Sequence, residues 1–220
     1  MRNACLIRSF TYIIKYQKQI SCRKNQPFLP LPKFILMNHN ISTDLVFDQD
    51  YHEQPNFLRN CHFEIKRPYD CSMIQLHHFY LLLRQGNKVS PVDLHLKIFN
   101  AAFLAFCYDG KKLVGISAVK RPCPSYLEEV YKKAGIIAGI DKPFLEIGYS
   151  FTRESVRKKG ISSTLKRMLL RKISDHHGII FSTTATPSSQ RFLVANGFRA
   201  KGNPYQGNFD NHIIYFERTA

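Results

Sequence analysis

The chain has 220 residues, a formal net charge of +16 and 44% apolar residues. This length and composition predict one folded domain with its own core, and no stretch approaches the ~20 apolar residues that a membrane-spanning helix needs. The excess positive charge favours a polyanionic ligand or partner, such as a nucleotide cofactor, RNA, DNA or an anionic membrane surface. A basic surface that serves only solubility is the alternative.

The cysteine and histidine patterns give no sign of a metal site. The six cysteines are scattered and contain no Cys-x-x-Cys pair, so we expect neither a disulfide framework nor zinc, and a cytoplasmic location. His77-His78 and His176-His177 are adjacent pairs. Neighbouring residues on a helix point in different directions, so neither pair chelates a metal alone.

The first 60 residues differ from the rest of the chain. Residues 1–36 hold seven Lys or Arg and no acid. They are interpreted either as an organelle-targeting peptide or as an over-predicted extension ahead of a start at Met37, and in both cases we expect poor order. Residues 37–60 are polar and predict an arm or linker. Residues 61–220 are then the folded domain.

The first half of this domain contains successive patterns typical of strands, helices and one hairpin turn. The turn of a hairpin is predicted at Asp109-Gly110. Residues 120–143 are irregular, apart from one short helix. The predicted elements are a strand at 62–66, a helix at 72–84, a helix start at Ser90-Pro91, hairpin strands at 102–108 and 112–119, and the short helix at 126–133.

Residues 144–173 predict a strand, a basic loop and a helix. The strand is 144–152, the loop is Arg157-Lys-Lys-Gly160, and apolar residues recur at helical spacing from Ile161 to Ile173. Unpaired N–H groups and the positive end of the helix dipole converge at such a helix start, and Gly160 lets a ligand approach the backbone. The pattern therefore predicts a site for a phosphate-bearing ligand.

The remaining elements complete a mixed sheet. A strand is predicted at 178–184, a helix from Thr186-Pro187 to Asn196, and two final strands, of which the last is 212–216. Antiparallel strands joined to crossover helices imply an α/β fold with helices on both faces of the sheet.

Residues 62–217 resemble the GNAT superfamily of acetyl-CoA-dependent N-acetyltransferases. Arg157-Lys-Lys-Gly-Ile-Ser162 is similar to the Arg/Gln-x-x-Gly-x-Gly/Ala pyrophosphate loop of that family. Leu193-Val-Ala-Asn-Gly-Phe198 is similar to the segment that ends its last helix, and a hairpin closing on Gly115 fits its second and third strands. The resemblance implies a mostly antiparallel sheet with a splayed central strand pair.

The resemblance also implies a cofactor and the residues that bind it. In the family, acyl-CoA lies in the splayed gap with its pyrophosphate on the loop amides. By position, the pyrophosphate would contact the amides of Lys158, Lys159, Gly160, Ile161 and Ser162. The pantetheine arm would pair with Phe151 and Thr152, and the adenosine-side phosphate would contact Arg157, Lys158 and Lys159. Lys166 and Arg167 are further candidates for this phosphate, but a solvated helix face is favoured for both.

Catalytic candidates follow from the same resemblance. Several relatives place the carboxylate that accepts the proton of the amine where Glu146 stands. The alternative is that Glu146 is a surface or charge-paired glutamate of the strand. A backbone N–H near Tyr149 to Phe151 would polarise the thioester carbonyl. Leu193 stands where the family usually has a tyrosine, so the proton for the departing thiolate has to come from Tyr149, another tyrosine or water. The other tyrosines considered are Tyr205 and Tyr215.

The resemblance implies direct acetyl transfer from acetyl-CoA to a primary amine of unidentified structure. The segments 120–143 and 202–211, expected to wall the acceptor site, carry few acids. Together with the basic surface, this favours an acceptor attached to a polyanion, such as an aminoacyl-tRNA. The alternative function is a catalytically weak or inactive GNAT-like domain that binds CoA, nucleic acid or protein, which the missing tyrosine supports.

Overall fold

The computed structural model describes residues 56–137 and 142–219. The basic segment 1–36 and residues 37–55 of the predicted arm lie outside these ranges. The described elements are α1 (Asn56–Arg59), β1 (Cys61–Lys66), α2 (Met73–Gln85), α3 (Leu94–Phe99), β2 (Phe103–Asp109), β3 (Lys112–Lys120), α4 (Pro124–Ala134), β4 (Phe144–Thr152), α5 (Ile161–Lys172), β5 (Ile179–Thr184), α6 (Pro187–Ala195), β6 (Arg199–Tyr205) and β7 (Ile213–Thr219).

All seven of these strands belong to one sheet, in the order β1-β2-β3-β4-β5-β7-β6. The β4–β5 pair is parallel and every other neighbouring pair is antiparallel. The parallel pair requires a crossover, and α5 supplies it between β4 and β5. The predicted mixed, mostly antiparallel sheet is therefore confirmed.

Helices cover both faces of the sheet because the side chains of each strand alternate between them. On one face, Phe106 of β2 meets Phe79 of α2 edge-on, with ring centroids 5.5 Å apart. On the other face, Cys107 belongs to a core that includes Leu165 of α5 and Phe192 of α6. None of the helices in the described ranges is long and apolar enough to cross a membrane.

Local sequence signals explain where two of the helices begin. Ser72 and Gln75 form a capping box at the start of α2, in which each side chain accepts a hydrogen bond from the backbone N–H of the other. The start predicted at Ser90-Pro91 is displaced. The hydroxyl of Ser90 accepts from the N–H of Val92 in a turn, and α3 begins only after Asp93.

One helix was not expected from the sequence, whereas the short helix predicted at 126–133 is present as α4. The end of the predicted polar arm forms α1, where Leu58 is buried in the main core because Phe57-Leu58 offers an apolar face. Helix α4 packs its apolar side chains, Leu127 and Tyr131 among them, against Phe181 of β5 and Tyr215 of β7. The insertion between β3 and β4 thus covers the C-terminal half of the sheet.

Candidate functional site

The parallel pair β4–β5 is short, and the two strands then separate. Backbone pairing covers only residues 144–146 of β4 and 179–181 of β5. Beyond it, the hydroxyl of Ser182 donates to the carbonyl of Ile147 over 2.9 Å. Residues 147–152 of β4 have no paired strand on this side within the described ranges. The separation opens a gap beside β4 and leaves backbone groups of β4 without a strand partner, as expected for a splayed central pair.

The predicted pantetheine-binding residues lie along this gap. Phe151 and Thr152 are half-buried at the end of β4, opposite Ile116 and Gly115 of β3. The hydroxyl of Thr152 is buried and has no hydrogen-bond partner within the described ranges. The backbone edge of β4 that faces the gap can therefore pair with an extended amide-containing ligand.

A β-bulge interrupts the other edge of β4 at Tyr149. The register with β3 shifts between Ile116 and Ala118, so two residues of β4 oppose Ser117. Tyr149 has a φ of +51°, a left-handed conformation that is uncommon for a bulky side chain. Such a bulge leaves one residue outside the hydrogen-bond ladder. The bulge lies within the stretch Tyr149 to Phe151, for which the resemblance implies a carbonyl-polarising N–H, and that role stays a prediction.

The loop between β4 and α5 has the backbone of an anion site. Lys158 and Gly160 have φ values of +64° and +83°, and Gly160 is the N-cap of α5. The amides of residues 158–162 donate to no backbone carbonyl in the described parts of the chain. Successive N–H groups in such a turn, at the positive end of a helix, form a concave site for an anion.

The basic side chains of this loop have different surroundings. Arg157 pairs with Glu154 at 3.0 Å and donates from Nε to the carbonyl of Thr152 at 3.2 Å. Lys159 lies over the ring of Phe57 in α1, with Nζ 4.0 Å from the centroid. Lys158 is exposed and forms no ion pair with the residues described. Among the described residues, Lys158 thus presents an unpaired positive charge at this loop, whereas Arg157 is bound to the loop itself.

Glu146 is the last residue of β4 that pairs with β5, and its carboxylate is buried. Oε1 lies 2.6 Å from Nζ of Lys120, the residue directly opposite on β3, and accepts from the hydroxyl of Tyr126 at 3.3 Å. Oε2 has no hydrogen-bond partner within the described ranges. A buried carboxylate needs an opposite charge, and Lys120 supplies it.

Three tyrosines surround this ion pair. Nζ of Lys120 lies 4.7 Å from the ring centroid of Tyr149 and 5.4 Å from that of Tyr126. Burial, followed by the negative charge of Glu146, raises the pKa of both phenols well above the usual value for tyrosine. Burial raises the pKa of Tyr205 to about 12, and Glu146 adds to this. All three phenols therefore keep their protons near neutral pH.

Sequence reasoning brought Glu146 and Tyr149 into one site and missed Lys120 and Tyr126. The strand predicted at 112–119 stopped one residue before Lys120, which is the last residue of β3. The contact of Lys120 with Glu146 depends on the β3–β4 register, which the intervening insertion hides. Tyr215, considered as a proton donor, is fully buried and donates to Glu217 at 2.8 Å.

The last helix also departs from the family pattern. Leu193, at the position of the usual tyrosine, is 1% exposed and lies in the main core. Lys166 of α5 is buried nearby, and it donates to the hydroxyl of Ser189 in α6 at 3.0 Å. Its Nζ lies 4.8 Å from the ring centroid of Phe192. Burial lowers the pKa of Lys166 to about 8.

No family model matches the sequence, and no curated protein matches it. Solved structures do match. ElaA from Escherichia coli has a TM-score of 0.55 and 16% identity, over 72% of this chain and 99% of that one. An acyl-CoA N-acyltransferase from Pseudomonas aeruginosa has a TM-score of 0.54 and 14% identity, over 72% and 99%.

A third similar structure is FeeM, an N-acyl amino acid synthase from uncultured soil microbes. Its TM-score is 0.58 at 12% identity, over 72% of this chain and 90% of that one. Identities this low establish shared architecture alone. The sheet order, the splayed β4–β5 pair and these likenesses together show that the chain has the GNAT fold.

Proposed function

We propose that this chain is an N-acetyltransferase that moves an acetyl group from acetyl-CoA to a primary amine by direct transfer. The observation that carries the proposal is the gap beside β4, which leads from a bulge to the anion site at the start of α5. A long ligand with amides in its middle and a pyrophosphate at one end fits this order of groups.

Different residues of the chain would bind different parts of acetyl-CoA. The amides of residues 158–162 would hold the pyrophosphate, and Lys158 would add an unpaired positive charge. Phe151 and Thr152 would pair their backbone with the pantetheine amides. Bound there, acetyl-CoA supplies an activated acyl group as a thioester.

The groups that would catalyse the transfer lie on the acceptor side of the gap. Oε2 of Glu146 would take the proton from the amine, directly or through water. A backbone N–H at the bulge near Tyr149 would hold the thioester oxygen as it gains negative charge. The amine nitrogen forms the new bond to the acyl carbon, the C–S bond breaks, and CoA leaves as the thiol.

Among the side chains considered as the general acid, Tyr149 has the best-supported position. Its ring lies against the Lys120–Glu146 pair and its backbone forms the bulge. Its raised pKa keeps the phenol protonated at neutral pH. Tyr215 is excluded by its complete burial, and Leu193 has no proton to give.

Calorimetry with acetyl-CoA, followed by thiol release from acetyl-CoA in the presence of a panel of amines, tests the proposal. Gly160→Glu should abolish binding and turnover, because a carboxylate would enter the anion site. Gly197→Glu is the matched control, since Gly197 has a φ of +80° and open space around it. Glu146→Gln should lower kcat but leave the affinity for acetyl-CoA unchanged.

The second candidate function is a binding module without catalysis. The burial of Leu193 in place of a proton-donating tyrosine favours it. Binding of acetyl-CoA without turnover of any amine would support this module. Turnover that is lost in Gly160→Glu and retained in Gly197→Glu would reject it.

The nature of the acceptor is a separate proposal. The net charge of +16 favours an amine carried on a polyanion, such as an aminoacyl-tRNA. Filter binding of tRNA at increasing salt tests this proposal, because neutralised phosphates make affinity fall steeply with salt. Affinity that is absent or independent of salt would count against an RNA-linked acceptor.

A further inference from the structure

The Lys120–Glu146 pair presents two opposite charges, each with unused hydrogen-bonding capacity. Oε1 of Glu146 lies 2.6 Å from Nζ of Lys120, whereas Oε2 is buried and has no partner in the described ranges. An ammonium group has three donors. Glu146 is the only ion-pair partner of Lys120 among the described residues. A buried carboxylate oxygen without a partner is rare, and a bound ligand is one explanation.

The pair lies where an acceptor has to approach. Glu146 is the last residue before β4 and β5 separate, and it shares its face of the sheet with α4. The side chain of Lys120 extends from β3 past Gly148 to reach Glu146, and it has room to do so because Gly148 has no side chain. A Cβ at residue 148 would lie 2.8 Å from Cε of Lys120. The side chain of Lys120 retains 17% exposure, so part of it is open to solvent.

The charges of the pair indicate what the acceptor carries. Lys120 neutralises Glu146, so a simple alkylammonium ion finds a negative oxygen beside an equal positive charge. An acceptor with an acidic group next to its amine satisfies both sites, because its ammonium meets Oε2 and its carboxylate meets Nζ. An α-amino acid carries these two groups on one carbon, which matches the short separation of Lys120 and Glu146.

We infer that the acceptor is a free α-amino acid whose carboxylate binds Lys120 and whose amine binds Oε2 of Glu146. The rings of Tyr126 and Tyr149 flank the ammonium of Lys120 and limit its movement. This inference rests on the proposed acetyl transfer and specifies its substrate. It competes with the RNA-linked acceptor, because an aminoacyl ester has no free carboxylate.

The test compares three forms of each amino acid in a panel: the free acid, its methyl ester and the amine that lacks the carboxyl group. Thiol release from acetyl-CoA gives kcat/KM, and the melting temperature of the protein with each compound reports binding without turnover. We expect the free acid to exceed both other forms by about 100-fold in kcat/KM, since a charge-paired site rejects the analogue without the charge.

Variants then assign this preference to Lys120. Lys120→Met should abolish the preference and the rise in melting temperature with the free acid. Lys132→Met, an exposed lysine on α4, should keep both. Because Lys120→Met leaves a buried charge unpaired, Lys120→Met with Glu146→Gln provides a neutral pair that folds without this penalty. The double variant should also lose binding of the free acid.

The outcomes separate this inference from the function on which it rests. Equal or faster turnover of the ester or the plain amine would overturn the inference and leave acetyl transfer intact. If no amine is acetylated although acetyl-CoA binds, the proposed transfer is wrong. The melting temperatures then decide whether the amino-acid site exists. A rise with the free acid that Lys120→Met removes would still support the amino-acid site, and no rise would overturn it.

Discussion

The hydroxyl of Ser182 donates to the carbonyl oxygen of Ile147 over 2.9 Å, one residue beyond the last backbone pair of β4 and β5. A side chain thus takes the place of the next bond in the ladder. Because the hydroxyl satisfies the carbonyl of Ile147 from the side, the backbone of β5 is free to leave β4. The gap that defines the candidate site begins at this hydrogen bond.

Ser182→Ala should lower the free energy of unfolding by about 1 kcal/mol, because it leaves the carbonyl of Ile147 without this buried partner. Urea denaturation of the purified protein measures the difference. Ser174→Ala is the control, since Ser174 is exposed and donates only to Asp175. Equal stability of the two variants would show that the bond to Ile147 contributes nothing.

Gly160→Ala should weaken binding of acetyl-CoA by more than its effect on stability explains. A left-handed φ costs a non-glycine residue about 1 kcal/mol, and a Cβ at residue 160 would lie 3.3 Å from Leu58. Gly197→Ala has nearly the same φ and should lose similar stability without losing affinity. Calorimetry and denaturation of both variants make the comparison. Equal affinity would refute the role of the Gly160 loop.

Lys166 should make stability rise with pH above 8. Burial lowers its pKa to about 8 from the ordinary 10.5, so between these values the unfolded chain holds a proton that the folded chain has released. Stability therefore increases with pH through this window, by at most about 3 kcal/mol relative to Lys166→Met.

Urea denaturation of wild type and Lys166→Met at intervals from pH 7 to 10.5 measures this difference. The difference in free energy of unfolding between the two proteins should be constant below pH 8. Above pH 8 the wild type should gain stability relative to Lys166→Met. Lys132→Met, which replaces an exposed lysine, should show no such trend. A difference that stays constant through the whole range would contradict the lowered pKa of Lys166.

Leu193→Tyr should not supply the missing proton donor. Leu193 is 1% exposed within the core, so the larger ring should cost about 1–3 kcal/mol through overpacking. Val194→Tyr is the matched control, because the side chain of Val194, next to Leu193 in the chain, is 61% exposed. Denaturation measures the cost, and thiol release measures kcat. A stable Leu193→Tyr variant with a higher kcat would show that the family's usual scheme can be restored here.

The strand–loop–helix unit was the part of the fold most readable from sequence. β4 occupies 144–152 as predicted, and α5 begins directly after Gly160. Both boundaries depend on local signals, namely an apolar run, a glycine and helical spacing. α1 was missed because its burial comes from packing against the distant loop at Gly160. No local pattern encodes that contact.

The candidate site was predictable only in part, for a related reason. The position of Glu146 followed from the family resemblance, and the structure adds its environment. Lys120 reaches Glu146 through the β3–β4 register, and Tyr126 reaches it from α4. Register and helix placement are tertiary facts, so no spacing in the sequence reveals that the carboxylate is paired.

Helix α4 has a mechanical consequence. Only three residue pairs join β4 to β5, so the sheet alone would allow its two halves to open independently. Tyr131 of α4 contacts Phe144 of β4 and Tyr215 of β7, with ring centroids 6.2 Å and 5.6 Å apart. The helix therefore bridges the short β4–β5 pairing and holds the two halves of the sheet together. Amides of β3 and β7 should therefore exchange with solvent in one cooperative opening.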